Sequence, residues 1–171
     1  MIVSLQEAIK IDENIEEEDL EAIEIMIRNK TNNNFQNTRI RYKNITFIDN
    51  QTIGVSSKLV GLKVGDTIQI NYSGYNDGLY VIKSTTDDTI SFDLDSFAEI
   101  DLKGAMITKV EYPADIKKGV KDILRYDLDM KDKKGIKSES VSRKSVTYSD
   151  NDEGYPKEIV SFLNDYLKMR W

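Results

Sequence analysis

The spacing of apolar residues changes period twice along this chain. Over residues 1–43 it is helical. Ser4 and Glu7 stand at capping-box spacing ahead of a short helix carrying Leu5, Ala8 and Ile9. A second helix is expected from about Glu16 to Asn29, with Leu20, Ile23 and Ile27 on one face and Met26 beside them. Glu16, Glu17, Glu18 and Asp19 gather at its start, where negative charge suits the helix dipole, and the asparagine run 32–34 ends it.

From about 44 to 112 the pattern alternates with period two. Ile68, Ile70 and Tyr72 are separated by polar residues, as are Ile90, Phe92 and Leu94. Candidate strands are 45–49, 51–55, 67–72, 79–84, 89–94 and 106–112. Turn formers fall between them at Gly61, Gly65-Asp66, Asn76-Asp77-Gly78 and Asp87-Asp88. Short strands at this spacing predict a small antiparallel, closed or half-closed barrel.

Helical spacing returns from 113 to 171. Pro113 suits a first turn, and Ile116, Val120, Ile123, Leu124 and Leu128 repeat until about Lys133, with Gly135 placed to end the helix. Residues 136–149 read as an extended arm. Pro156 opens a last helix running to the end of the chain, with Ile159, Phe162, Leu163, Tyr166 and Leu167 on one face. The expected fold class is α+β: about four helices in one small helical domain (1–43 plus 113–171), interrupted by an inserted β-barrel-like domain (44–112), with the arm ahead of the C-terminal helix.

Composition narrows the chemistry. The 171 residues contain neither cysteine nor histidine. That rules out disulfides, zinc sites built on Cys or His, and Cys-His or Ser-His-Asp catalysis. The N-terminal residues lack the basic start and apolar core of a signal peptide, so export by that route is not expected. No apolar run is long enough to span a membrane. The net charge of −6 disfavours binding to phosphate backbones. Arg39-Ile40-Arg41-Tyr42-Lys43 is basic but short, and reads as a solvated connector.

No candidate chemical site stands out. Asp93, Asp95, Glu99 and Asp101 form one acidic cluster, and Asp150, Asp152 and Glu153 another. The second departs from a calcium loop, which wants glycine sixth and glutamate twelfth where this chain has Tyr155 and Ser161. Neither is assigned a metal, and no cofactor or catalytic residue is expected. The arm, with Ser138, Ser140, Val141, Val146 and Tyr148, is either a surface hairpin or a segment ordered by another chain's strand edge. Tyr166, Met169, Arg170 and Trp171 either close the helical core or dock on a partner, where Trp and Arg are favoured anchors. Tyr72, Tyr75 and Tyr80 could line a carbohydrate-binding groove, although alternation puts Tyr72 in the core.

Gly135-Ile136-Lys137-Ser138-Glu139-Ser140, Ser145-Val146-Thr147-Tyr148, and then Tyr155-Pro156 before an amphipathic helix ending Tyr166-Leu167-x-x-Arg170 together resemble the head–tail connector (adaptor, or head-completion) proteins of tailed bacteriophages. Leu5-Gln6-Glu7-Ala8-Ile9-Lys10 followed by an acidic helix is similar to the start of the same family. The resemblance covers about 1–35 and 113–171; the strand-rich zone departs from the compact all-helical members. It implies a non-catalytic virion protein of the neck, assembled in the host cytoplasm. Roughly twelve copies would form a closed ring under the portal protein. The ring would meet the next neck or stopper protein and pass DNA through its channel without specific binding. The arm would join subunits, and the C-terminal helix with Trp171 would meet the portal. The alternatives are another phage tail or neck structural protein, and a carbohydrate-binding barrel module.

Overall fold

The structure is a computed structural model that describes residues 1–98, 104–131, 138–141, 144–147 and 155–169, with the backbone alone for 138–141 and 144–147. It is α+β. The chain divides into two compact units, Met1–Asn33 with Tyr112–Trp171, and Asn34–Glu111.

In the helical unit, α1 (Leu5–Ala8) is capped by Ser4, whose hydroxyl accepts the Glu7 N–H at 3.3 Å. α2 (Glu17–Thr31) starts on a reciprocal cap in which the Asp19 carboxylate accepts the Glu16 N–H at 3.0 Å. Asn32 ends it in the left-handed region, φ 49° and ψ 36°, a conformation asparagine tolerates well. α3 (Ala114–Met130) follows Pro113 and buries Ile116, Val120, Ile123 and Leu124. These pack with Leu20, Ile23, Ile27, Val160 and Leu163 as the unit's apolar core. Leu128, grouped with them by spacing, is 40% exposed. Salt bridges Lys121–Glu7 (2.8 Å) and Lys131–Asp12 (3.2 Å) tie α3 to the N-terminal segment.

The second unit is an antiparallel sheet of seven strands: β1 (Gln36–Lys43), β2 (Thr46–Asp49), β3 (Thr52–Gly54), β4 (Thr67–Asn71), β5 (Gly78–Thr85), β6 (Thr89–Phe92) and β7 (Met106–Val110). Their order is β1-β7-β4-β5-β6-β3-β2. The two edge strands are consecutive in sequence, joined through Asn44-Ile45, but no ladder pairs them, so the sheet stays open. Its core is Ile45, Ile53, Ile68, Ile70, Ile82, Ile90, Phe92, Phe97 and Ile107. Phe97 contacts Phe47, Tyr80 and Phe92 edge-on, with ring centroids 5.0–5.6 Å apart.

Three features differ from the sequence reading. The basic segment expected as a connector is the edge strand β1, paired with β7 in a register that slips between Asn37 and Arg41. Arg41 Nε donates to the Thr108 hydroxyl at 2.9 Å, which leaves this arginine bound within the sheet. Second, Tyr72 is not core. β4 stops at Asn71, Tyr72 takes φ 63°, and the residue is 68% exposed, because a left-handed residue breaks the alternation that would turn it inward. Third, the last helix does not run to the end of the chain. α4 (Lys157–Val160) passes into a 3₁₀ segment, Ser161–Tyr166, and Leu167 is extended at ψ 126°. A segment this short draws little stability from helix propagation, and Asn164 and Asp165 are weak helix formers. Competing hydrogen bonds to the end of α2 then decide its course.

Candidate interface surfaces

Those bonds define the C-terminal surface. The Lys168 N–H donates to the Thr31 carbonyl at 2.8 Å. Asn32 Nδ2 donates to the Met169 carbonyl at 3.2 Å, and Asn33 Nδ2 to the Tyr166 carbonyl at 3.3 Å. The asparagines that terminate α2 thus also hold the C-terminal segment. Upstream, the Tyr155 hydroxyl donates to Asp127 at 2.7 Å while its ring lies 6.0 Å from that of Tyr126. Burial and the adjacent Asp127 carboxylate both push the Tyr155 hydroxyl's pKa upward.

Among the candidate docking residues, Tyr166 is committed to its own unit. Its hydroxyl donates to Asp115 Oδ2 at 2.6 Å. This bond lowers the pKa of Asp115 and raises that of Tyr166 to about 12. Met169 is 74% exposed. Leu167, assigned by spacing to the apolar face, is 56% exposed because the helix has already ended. The segment therefore exposes Leu167 and Met169, and the Tyr166 hydroxyl ties it to Asp115 of α3. Arg170 and Trp171 lie outside the described residues.

A glycine makes this attachment fit. Phe162 lays its ring over Gly119 in α3, so close that an added Cβ would collide with three ring atoms. The sequence carries a faint signal of this, a glycine amid the apolar repeat Ile116–Leu124, where a helix interior disfavours it.

The arm forms a separate two-stranded antiparallel sheet. β8 (Ser138–Val141) pairs with β9 (Lys144–Thr147), Ser138 opposite Thr147 and Val141 opposite Lys144. Ser138, Ser140, Val141 and Val146 thus sit on the two strands of a hairpin; Tyr148 lies outside the described residues.

The remaining candidates separate. Asp93 pairs with Lys83 at 3.1 Å, whereas Glu99, Asp101, Asp150, Asp152 and Glu153 lie outside the described residues. Among the described residues no group of three or more acidic side chains could hold a metal ion. Tyr80 does not join an exposed groove: its ring packs on Phe92 and Phe97 and its hydroxyl donates to the Asn76 carbonyl at 3.1 Å. No described helix is long and apolar enough to cross a membrane.

No protein-family model matches the chain, and no curated protein matches it.

Proposed function

We propose that this chain is a structural protein of a phage neck, a head–tail connector that assembles as a ring beneath the portal. The observation that carries the reading is the arm. A hairpin of two strands alone is marginal in water, and among the described residues no third strand pairs with either of its strands. In a ring, the neighbouring subunit supplies what such an edge lacks, a further strand or a covering surface. The arm coincides with the segment that resembles the connector family. The exposed Leu167 and Met169, with Arg170 and Trp171 beyond them, are the portal-facing end in this reading.

The strand-rich unit acts in this reading as a half-barrel insert. Its seven-stranded sheet is open and packs an apolar core, and in this reading its exposed residues meet the next neck component.

Mixing the chain with the portal of its parent particle tests this. Negative-stain imaging should show a second ring stacked on the portal ring, and native mass spectrometry a cyclic stoichiometry of roughly twelve. Truncation before Met169 should leave circular dichroism unchanged and abolish stacking. A portal that binds no copies, under conditions that yield intact heads, would overturn the proposal.

A further inference from the structure

The loop joining β4 to β5, Tyr72 to Asp77, is not used by the connector reading. We propose that it is a preformed binding site for a neutral oligosaccharide, with the rings of Tyr72 and Tyr75 as its stacking faces.

Backbone strain is the first observation. Tyr72 sits at φ 63°, where a bulky residue is a true outlier. Phe35 also has positive φ, at 50°, but the residue is only 6% exposed, so core burial offsets its strain. Tyr72 is 68% exposed and has no such burial to offset its strain. Strain that serves no packing purpose is characteristic of functional loops.

The loop is also held rigidly. The Asp77 carboxylate accepts the N–H groups of Tyr72 (3.1 Å) and Ser73 (2.7 Å) and the Ser73 hydroxyl (2.6 Å). Asn76 is buried and grips the backbone of Ala98 in both directions, donating to its carbonyl at 3.0 Å and accepting its N–H at 2.8 Å. Gly74, at φ 82°, completes the turn. This scaffold carries Tyr72 at one end and, three residues on, Tyr75, which is 85% exposed.

The ligand class follows by comparison. Nucleic acid also stacks on aromatic rings, but it needs a positively charged groove. Residues 34–111 carry eight Lys and Arg against ten Asp and Glu, and the loop's own charge is the Asp77 carboxylate. A stable protein partner buries about 800 Å² per side, whereas two tyrosine rings offer roughly 150–250 Å² each. A sugar ring has the matching size, an apolar C–H face and hydroxyl edges. Tyrosine provides a rigid ring and a hydroxyl at little conformational cost.

The test uses the full chain and four named probes: maltotriose, cellotriose, chitotriose and mannotriose, each titrated to about 10 mM. At least one should give saturable shifts of the Tyr72 and Tyr75 ring resonances, lost in a Y72A/Y75A variant. Tyr72→Gly removes one ring and accepts the positive φ. It should weaken binding about tenfold or more while raising Tm by about 2–5 °C. Silence from all four sugars, non-saturating shifts, or binding that survives Y72A/Y75A would overturn the proposal. None of these results would bear on ring formation at the portal, so the two readings fail separately.

Discussion

Gly119→Ala puts a methyl group where the Phe162 ring already lies, and two opposing terms set the outcome. Alanine is favoured over glycine in a helix interior by about 1 kcal/mol. Forcing an extra carbon into a packed contact costs about 1–3 kcal/mol. In the natural background the variant should therefore range from neutral to about 2 kcal/mol less stable. Phe162→Ala removes the obstacle, at its own cost of roughly 3 kcal/mol, the low end for Phe→Ala because the ring is half-buried. In that background Gly119→Ala should stabilise by about 1 kcal/mol. Helix propensity cancels around the cycle, so the coupling energy isolates the collision, at about 1–3 kcal/mol. Urea unfolding followed at 222 nm reads the helical unit, and an unchanged m-value licenses the comparison. If Gly119→Ala stabilises both backgrounds equally, with coupling under about 0.5 kcal/mol, the ring does not lie over the glycine and the C-terminal segment is attached in some other way.

Two further outcomes follow from ion pairs and hydroxyls. Tyr166→Phe should reduce the pH dependence of stability at both extremes. Asp115 has a lowered folded pKa, so its contribution is present above the unfolded value near 3.9 and is lost as pH falls through the folded one. Tyr166 has a raised pKa, so its contribution is present below about pH 10 and is lost as pH rises toward about 12. Melting curves at pH 3, 7 and 11 for both proteins check this, and identical profiles would refute the bond. Lys109→Met should destabilise the strand-rich unit by about 1–3 kcal/mol, since its ammonium pairs with Asp66 at 2.9 Å with both side chains nearly buried. Lys58→Met, from an exposed pair with Asp87, should change stability by about 0–1 kcal/mol; equal effects in urea titration would remove the distinction.

What could be read in the sequence depended on whether a residue's role is fixed by its neighbours in the chain. Ile68 with Ile70, and Ile90 with Phe92, show the sheet's inner face because alternation is a local rule and these strands obey it to their ends. The core face of α3 was legible for the same reason. β1 was not, because an edge strand keeps charged residues in solvent and this one slips register near its middle. Partners distant in sequence place it in the sheet: the backbone ladder to β7 and the Arg41 bond to Thr108. Tyr72 shows the converse: the alternating pattern continues one residue past the strand's end, while bonds to the Asp77 carboxylate hold the backbone there.

The C-terminal surface combines both effects. Periodicity put Leu167 inside, yet the path of the last residues is set by Thr31, Asn32 and Asn33, more than a hundred positions earlier. An asparagine run that reads as a helix stop has a second role as the receptor for the chain's own end. Exposure of Leu167 and Met169 therefore depends on α2 ending where it does. A substitution at Asn32 that extended α2 would alter the proposed portal-facing surface without touching it.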